Sequence, residues 1–158
     1  MKNRIIALIL TLALALVCLC SCNLIFGEVS DSGDVTVVIR NADGTDSIYK
    51  ADLEKIENKS EGGKGVLEHL QKNDKNPLHV EMVDSTYGVY VSAIGSISES
   101  PSDGSYVMVY TSVKTDSYEG APTVSYEGVT LYQSGVGLSG MTVESGCVIL
   151  FLLETYSY

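Results

Sequence analysis

Cys147-Val148-Ile149-Leu150-Phe151-Leu152-Leu153, close to the C-terminal end, decides how this chain folds. An unbroken apolar run of this length, entered through the turn residues Glu144-Ser145-Gly146, reads as a β-strand. A strand apolar on both faces cannot lie at the edge of a sheet or against water on one side, so its place is central.

Working outward, the neighbours of that strand are legible in turn. Val35-Thr36-Val37-Val38-Ile39-Arg40 is a β-branched run, Asn41-Ala42-Asp43-Gly44-Thr45-Asp46 supplies turn chemistry, and Ser47-Ile48-Tyr49-Lys50 restarts in strand character, giving a hairpin. The charged stretch Asp52 to Gly65 leads to a short helix with Val66, Leu67 and Leu70 on one face and Glu68 and Gln71 largely away from it. Asn73 to Pro77 ends it. Leu78, Val80 and Met82 then alternate with His79 and Glu81 as a half-buried strand. Tyr87 to Ile97 and Ser105 to Val113 are further strand candidates, separated by the turn-rich Ser98 to Gly104. Thr123 to Tyr126 and Val129 to Tyr132 flank Glu127-Gly128, a two-residue hairpin signal. The pattern predicts an α+β fold, mostly β: a β-grasp-like sheet with one short packed helix covering part of its apolar face, formed by residues 35–158 as one domain.

The other end of the chain carries a different signal. Lys2 and Arg4 precede an apolar run from Ile5 to Cys20 interrupted only by Thr11, and then come Leu19-Cys20-Ser21-Cys22. A basic start, an apolar core too short to span a bilayer and a small-residue cut site describe a secretory signal over residues 1–21. Leucine three positions before Cys22, with Ser21 just before it, resembles the lipobox of bacterial lipoproteins. That resemblance implies diacylglycerol on the Cys22 sulfur and cleavage that leaves Cys22 as the new N-terminus. Acyl chains bury about 0.8 kcal/mol per methylene, enough for stable anchoring at the extracytoplasmic face of the cell membrane. Residues 22–34, with Glu28, Asp31 and Asp34 among serines, read as the lipid-anchored tether.

Of the four cysteines, processing leaves Cys22 and Cys147; with Cys22 acylated, Cys147 has no intrachain partner and reads as a buried, inert thiol. Loss of the signal also takes Lys2 and Arg4, so the basic residues fall from 10 to 8 against 20 acidic ones and the net charge moves from −10 to −12. A surface so acidic repels phosphate backbones and anionic headgroups, which argues against nucleic acid as a partner and leaves the lipid to do the anchoring.

Several segments, taken in order, carry a family resemblance: Gly65-Val66-Leu67-Glu68-His69-Leu70; Tyr87-Gly88-Val89-Tyr90-Val91-Ser92-Ala93-Ile94-Gly95; Tyr110-Thr111-Ser112-Val113; Ser134-Gly135-Val136-Gly137-Leu138-Ser139-Gly140-Met141-Thr142-Val143; and Ser145-Gly146 before the apolar strand. Together they resemble the transcobalamin-C-terminal-like family, a domain of unknown function common in lipoproteins of Gram-positive gut bacteria. The resemblance implies a fold of the soluble-ligand-binding β-grasp group. In transcobalamin the related domain closes over one side of cobalamin while a separate helical domain completes the site. No such second domain is expected in this sequence, so a corrinoid enters as an analogy of fold.

The remaining motifs favour structure over chemistry. Gly135-Val136-Gly137-Leu138-Ser139-Gly140 matches G-x-G-x-x-G, but a turn and strand follow where a dinucleotide site needs a helix, so the glycines are expected to serve close backbone packing. His79 and Glu81 share a strand face without the third protein ligand that a defined metal site requires. Asn41 to Asp46 lacks calcium ligands near Ile39 and Lys50. Ser139 has no nucleophile elbow, and no carboxylate pair stands out, so no catalytic residue, metal or cofactor is assigned. Tyrosine is the one excess, ten against two phenylalanines and no tryptophan. Tyrosine offers a flat ring with a polar tip, and Tyr87, Tyr90, Tyr106, Tyr110 and Tyr132 are the candidate ligand contacts. The expectation is a membrane-anchored, non-catalytic binding domain for a small molecule such as a corrinoid. A protein-interaction or surface-adhesion module is the alternative, and a hydrolase ranks last.

Overall fold

The computed structural model describes residues 27–73 and 75–156. The expected signal segment 1–21, Cys22 and the first residues of the expected tether lie outside the described residues. The elements run β1 (Asp34–Arg40), β2 (Asp46–Asp52), α1 (Gly62–Gln71), β3 (Val80–Ser85), β4 (Gly88–Ile94), β5 (Ile97–Ser98), β6 (Ser105–Thr111), β7 (Thr123–Tyr126), β8 (Val129–Gln133) and β9 (Val148–Thr155). The fold is α+β and mostly β.

The run that decided the reading is β9, and it lies centrally in a six-stranded sheet of order β2-β1-β9-β6-β8-β7. It pairs parallel with β1, Thr36 opposite Val148 and Ile39 opposite Phe151, and antiparallel with β6 along its whole length. Alternation sorts the side chains of the central strands into two layers. Val37, Ile39, Ile149 and Phe151 face one way, onto Val66, Leu67 and Leu70 of α1 and onto Val89, Val91, Ile94 and Ile97. Val38, Val148, Leu150 and Tyr110 face the other way, onto Leu131 and Tyr126 of the β7–β8 hairpin. That hairpin turns through Glu127 at φ 48° and Gly128 at φ 82°, the mirror-image turn that matches strand twist.

Two features differ from the sequence reading. The strands between residues 80 and 98 do not extend the main sheet; they form a separate three-stranded sheet, β3-β4-β5. A ten-residue helix is about 15 Å long, whereas six strands about 4.8 Å apart present a wider face, so a second cover is required. The helix also begins at Gly62, ahead of the apolar positions that announce it, and its glycines are buried. A Cβ on Gly65 would lie 2.3 Å from the Asn58 carbonyl oxygen, so tight packing selects glycine there despite its poor helix propensity.

The stretch expected as a tether is already part of the fold from Gly27 onward. Val29 is buried and bridges to Val143. The Ser30 amide donates to the Val143 carbonyl at 2.8 Å, and the Val143 amide donates to that of Glu28 at 2.7 Å. An apolar side chain with a seat and a partner backbone does not stay in solvent.

Phe151 is fully buried in the layer under α1. Phe151→Ala is expected to cost roughly 3–5 kcal/mol, read as a lowered denaturant midpoint at unchanged slope. A loss below about 1 kcal/mol would mean that β9 does not carry the core.

Candidate ligand-binding groove

The β3–β4 hairpin and the glycine-rich connection from β8 to β9 meet at one end of the domain, and a groove of about 590 Å³ lies between them. Its walls are Asp84 to Val89, Gly135 to Gly137 with Ser139 and Gly140, and Glu61 and Lys64 from the start of α1. The hairpin is fixed locally: Ser85 pairs with Gly88, its hydroxyl donates to the Gly88 carbonyl at 2.6 Å and accepts the Tyr87 amide at 3.2 Å. Thr86 and Tyr87 are left at the tip, and Tyr87 is 92% exposed.

The glycine connection packs backbone to backbone against that tip. A Cβ on Gly137 would stand 2.9 Å from the Tyr87 carbonyl oxygen and 3.0 Å from the Gly88 Cα, so only hydrogen fits. Leu138, Met141 and Val143 are buried and pin the connection from below. Asp116 clasps both of its ends. The Asp116 carbonyl accepts the Gly135 amide at 2.8 Å, and its carboxylate accepts the Thr142 amide at 2.7 Å. Asp116 is buried, and burial pushes its carboxyl above the ordinary range, opposed by the hydrogen bonds from Thr142. Nothing in the sequence distinguishes Asp116 from the other acids; its role comes from the fold alone.

The five candidate tyrosines do not converge. Tyr87 stands at the lip of the groove, and Tyr90, 41% exposed, lines a smaller adjoining cleft with Val107, Val136 and Met141. Tyr110, expected as a ligand contact, is instead a core residue at 1% exposure, and its hydroxyl donates to Glu154 at 2.5 Å. Burial and the Glu154 carboxylate push its ionisation up. Tyr106 stacks obliquely with Tyr156, ring centroids 6.2 Å apart. Tyr132 lies under the Lys114 ammonium, 5.7 Å from its ring centroid. Tyr106 alternates onto the same face of β6 as Met108 and Tyr110, and the latter two belong to the second core layer.

The lysine that lines the groove is paired with carboxylates. The Lys64 ammonium lies 3.0 Å from Glu61 and 3.7 Å from Glu68, and its pKa is raised first by the hydrogen bond with Glu61. A second depression beside the helix, about 280 Å³, is bridged by the Lys72–Glu57 pair at 2.9 Å. Among the described residues no three His, Cys, Asp or Glu side chains gather as a metal-binding group, and no helix is long and apolar enough to cross a membrane. Cys147 is free and buried, its thiol pushed up to about 11 by desolvation.

No protein-family model matches the chain, and no curated protein matches it. Among solved structures, it is similar to a candidate metal-binding protein from Ruminococcus gnavus, with a TM-score of 0.53 and 14% identity over 79% of this chain and 99% of that one. At that identity the likeness is one of fold.

Because the folded protein raises the pKa of Asp116 above 3.8, it holds that proton more tightly than the unfolded chain does. The resulting stability is fully present below the unfolded value and is lost as pH rises through the folded one. The stability difference between wild type and Asp116→Asn, measured by urea unfolding at successive pH values, should therefore shrink in favour of the variant as pH rises through this window. A difference that grows in favour of wild type would contradict the assignment.

Proposed function

We propose that the chain is a lipoprotein held at the extracytoplasmic face of the cell membrane by acylated Cys22, and that its domain is a non-catalytic binding module. The groove between the Tyr87 turn and the glycine connection is its ligand site. The observation that carries this reading is the exposed Tyr87 ring at the lip of a cleft floored by glycine backbone. Such a floor lets a flat ligand approach the main chain closely, and the ring supplies an apolar face with a polar tip.

The resemblance to the transcobalamin-C-terminal-like family suggests a corrinoid as the first ligand to try, with haem and glycans as other flat or ring-bearing classes. The name of the Ruminococcus gnavus neighbour suggests a metal instead; among the described residues the scattered donors give that reading no ligand set. A protein-interaction module is the second reading. It is supported by β2 and β7 lying at the outer edges of the main sheet, with Ile48 of β2 exposed, and Val129 exposed at the start of β8 beside β7.

Thermal unfolding of the protein with corrinoids, haem and glycans tests the first reading. A ligand at 100 times its dissociation constant adds about 2.7 kcal/mol, or roughly 10 °C for a domain of this size. Tyr87→Ala should leave the unliganded midpoint unchanged and reduce the ligand-induced rise. No rise with any of the three classes, together with reproducible protein cross-links on intact cells, would replace this reading with the second.

A further inference from the structure

The packing of Gly27 fixes an orientation. Gly27 is buried, its amide donates to the Ser139 carbonyl at 2.9 Å, and a Cβ there would stand 2.0 Å from the Met141 carbonyl oxygen. Ser139 and Gly140 are themselves walls of the groove. Gly27 therefore sits against the wall of the groove, and five peptide steps separate it from Cys22.

The opposite end of the domain is equally well marked. Since β1 and β9 run parallel, both end away from the groove, and Thr155 extends about three residues beyond the level of Arg40. Gly104 and Tyr156 join them there through the bond from the Tyr156 amide to the Gly104 carbonyl. β4 runs in the same sense, from Gly88 beside Gly137 to Gly95 beside Ile39.

Reach decides which end meets the membrane. Five peptide steps extend to about 18 Å at full stretch, whereas the eight residues of β9 span about 23 Å from first to last. A link that starts at the groove end is too short to pass along the domain and let the far end touch the bilayer.

We propose that the groove end faces the bilayer and that the Tyr87 ring rests in the headgroup interface of the leaflet that carries the anchor. This rests on the acylation of Cys22 proposed above. A phenol ring with a polar tip suits that interface, where tyrosine is enriched. Charge does not drive the contact: Lys64 is held by Glu61 and Glu68, and Asp84 adds a further carboxylate to the groove. A zwitterionic phospholipid surface is therefore sufficient. The groove then takes its ligand at the membrane surface rather than from the open medium.

The chain has no tryptophan, so a single introduced indole reports on its own surroundings. Tyr87→Trp and, at the far end, Ser102→Trp replace exposed residues. Each full-length lipoprotein is reconstituted in phosphatidylcholine vesicles containing lipids brominated near the headgroup, and the Cys22 peptide is weighed from the same sample. The expected result is an acylated Cys22, a blue-shifted and strongly quenched indole at position 87, and an unquenched indole at position 102. An acylated Cys22 with position 87 unquenched, or with both positions quenched alike, overturns the orientation and leaves the anchor intact. An unmodified Cys22 overturns the anchor and the orientation with it.

Discussion

The whole arrangement depends on one strand whose first half has no polar face. Val148 to Phe151 are buried, and their side chains alternate between two layers. Each such side chain gains roughly 1.5–3 kcal/mol by leaving water, so neither face of β9 can be left open. Neighbours on both edges satisfy its backbone, and covers on both faces satisfy its side chains. The helix and the small sheet make one cover; the β7–β8 hairpin, attached to β6 by only a short stretch of pairing, folds back to make the other.

Two-sided cover has a cost in connections. The chain must pass from β8 to the start of β9 by way of the helix side, where Leu138, Met141 and Val143 are buried, and the route takes it across the β3–β4 turn. Glycine makes that crossing feasible because Gly137 meets the Tyr87–Gly88 backbone with no room for a side chain. The groove is the space left between the β3–β4 hairpin, the start of α1 and this connection. Its rim is held by Asp116 on one side and by the Gly27 backbone on the other, so the candidate ligand site and the entry of the chain into the fold share one set of contacts.

What the sequence revealed and what it hid follow from the range of the interactions. Both long-recognisable hairpins, at Asn41 to Asp46 and at Glu127-Gly128, rest on turn chemistry within a few residues and were legible. So was the central place of β9, because an uninterrupted apolar run allows no other. The start of α1 was not, since Gly62, Gly63 and Gly65 speak against a helix until Leu138, Met141 and Asn58 are packed against them. The separation of β3-β4-β5 from the main sheet was hidden for the same reason: strand pairing is decided between distant segments. Among the tyrosines, ring and hydroxyl suit a ligand and a core equally. Only the fold shows that Tyr110 is sealed while Tyr87 stands in solvent.

Hydrogen exchange resolved by residue tests the central role of β9 most directly. The slowest amides in the domain should be those of Val148 to Phe151 and their β1 and β6 partners, opening only with global unfolding, while the outer strands β2 and β7 exchange through smaller openings. If the β9 amides instead exchange as fast as those of β2 or β7, the strand is not the element on which the two layers are built.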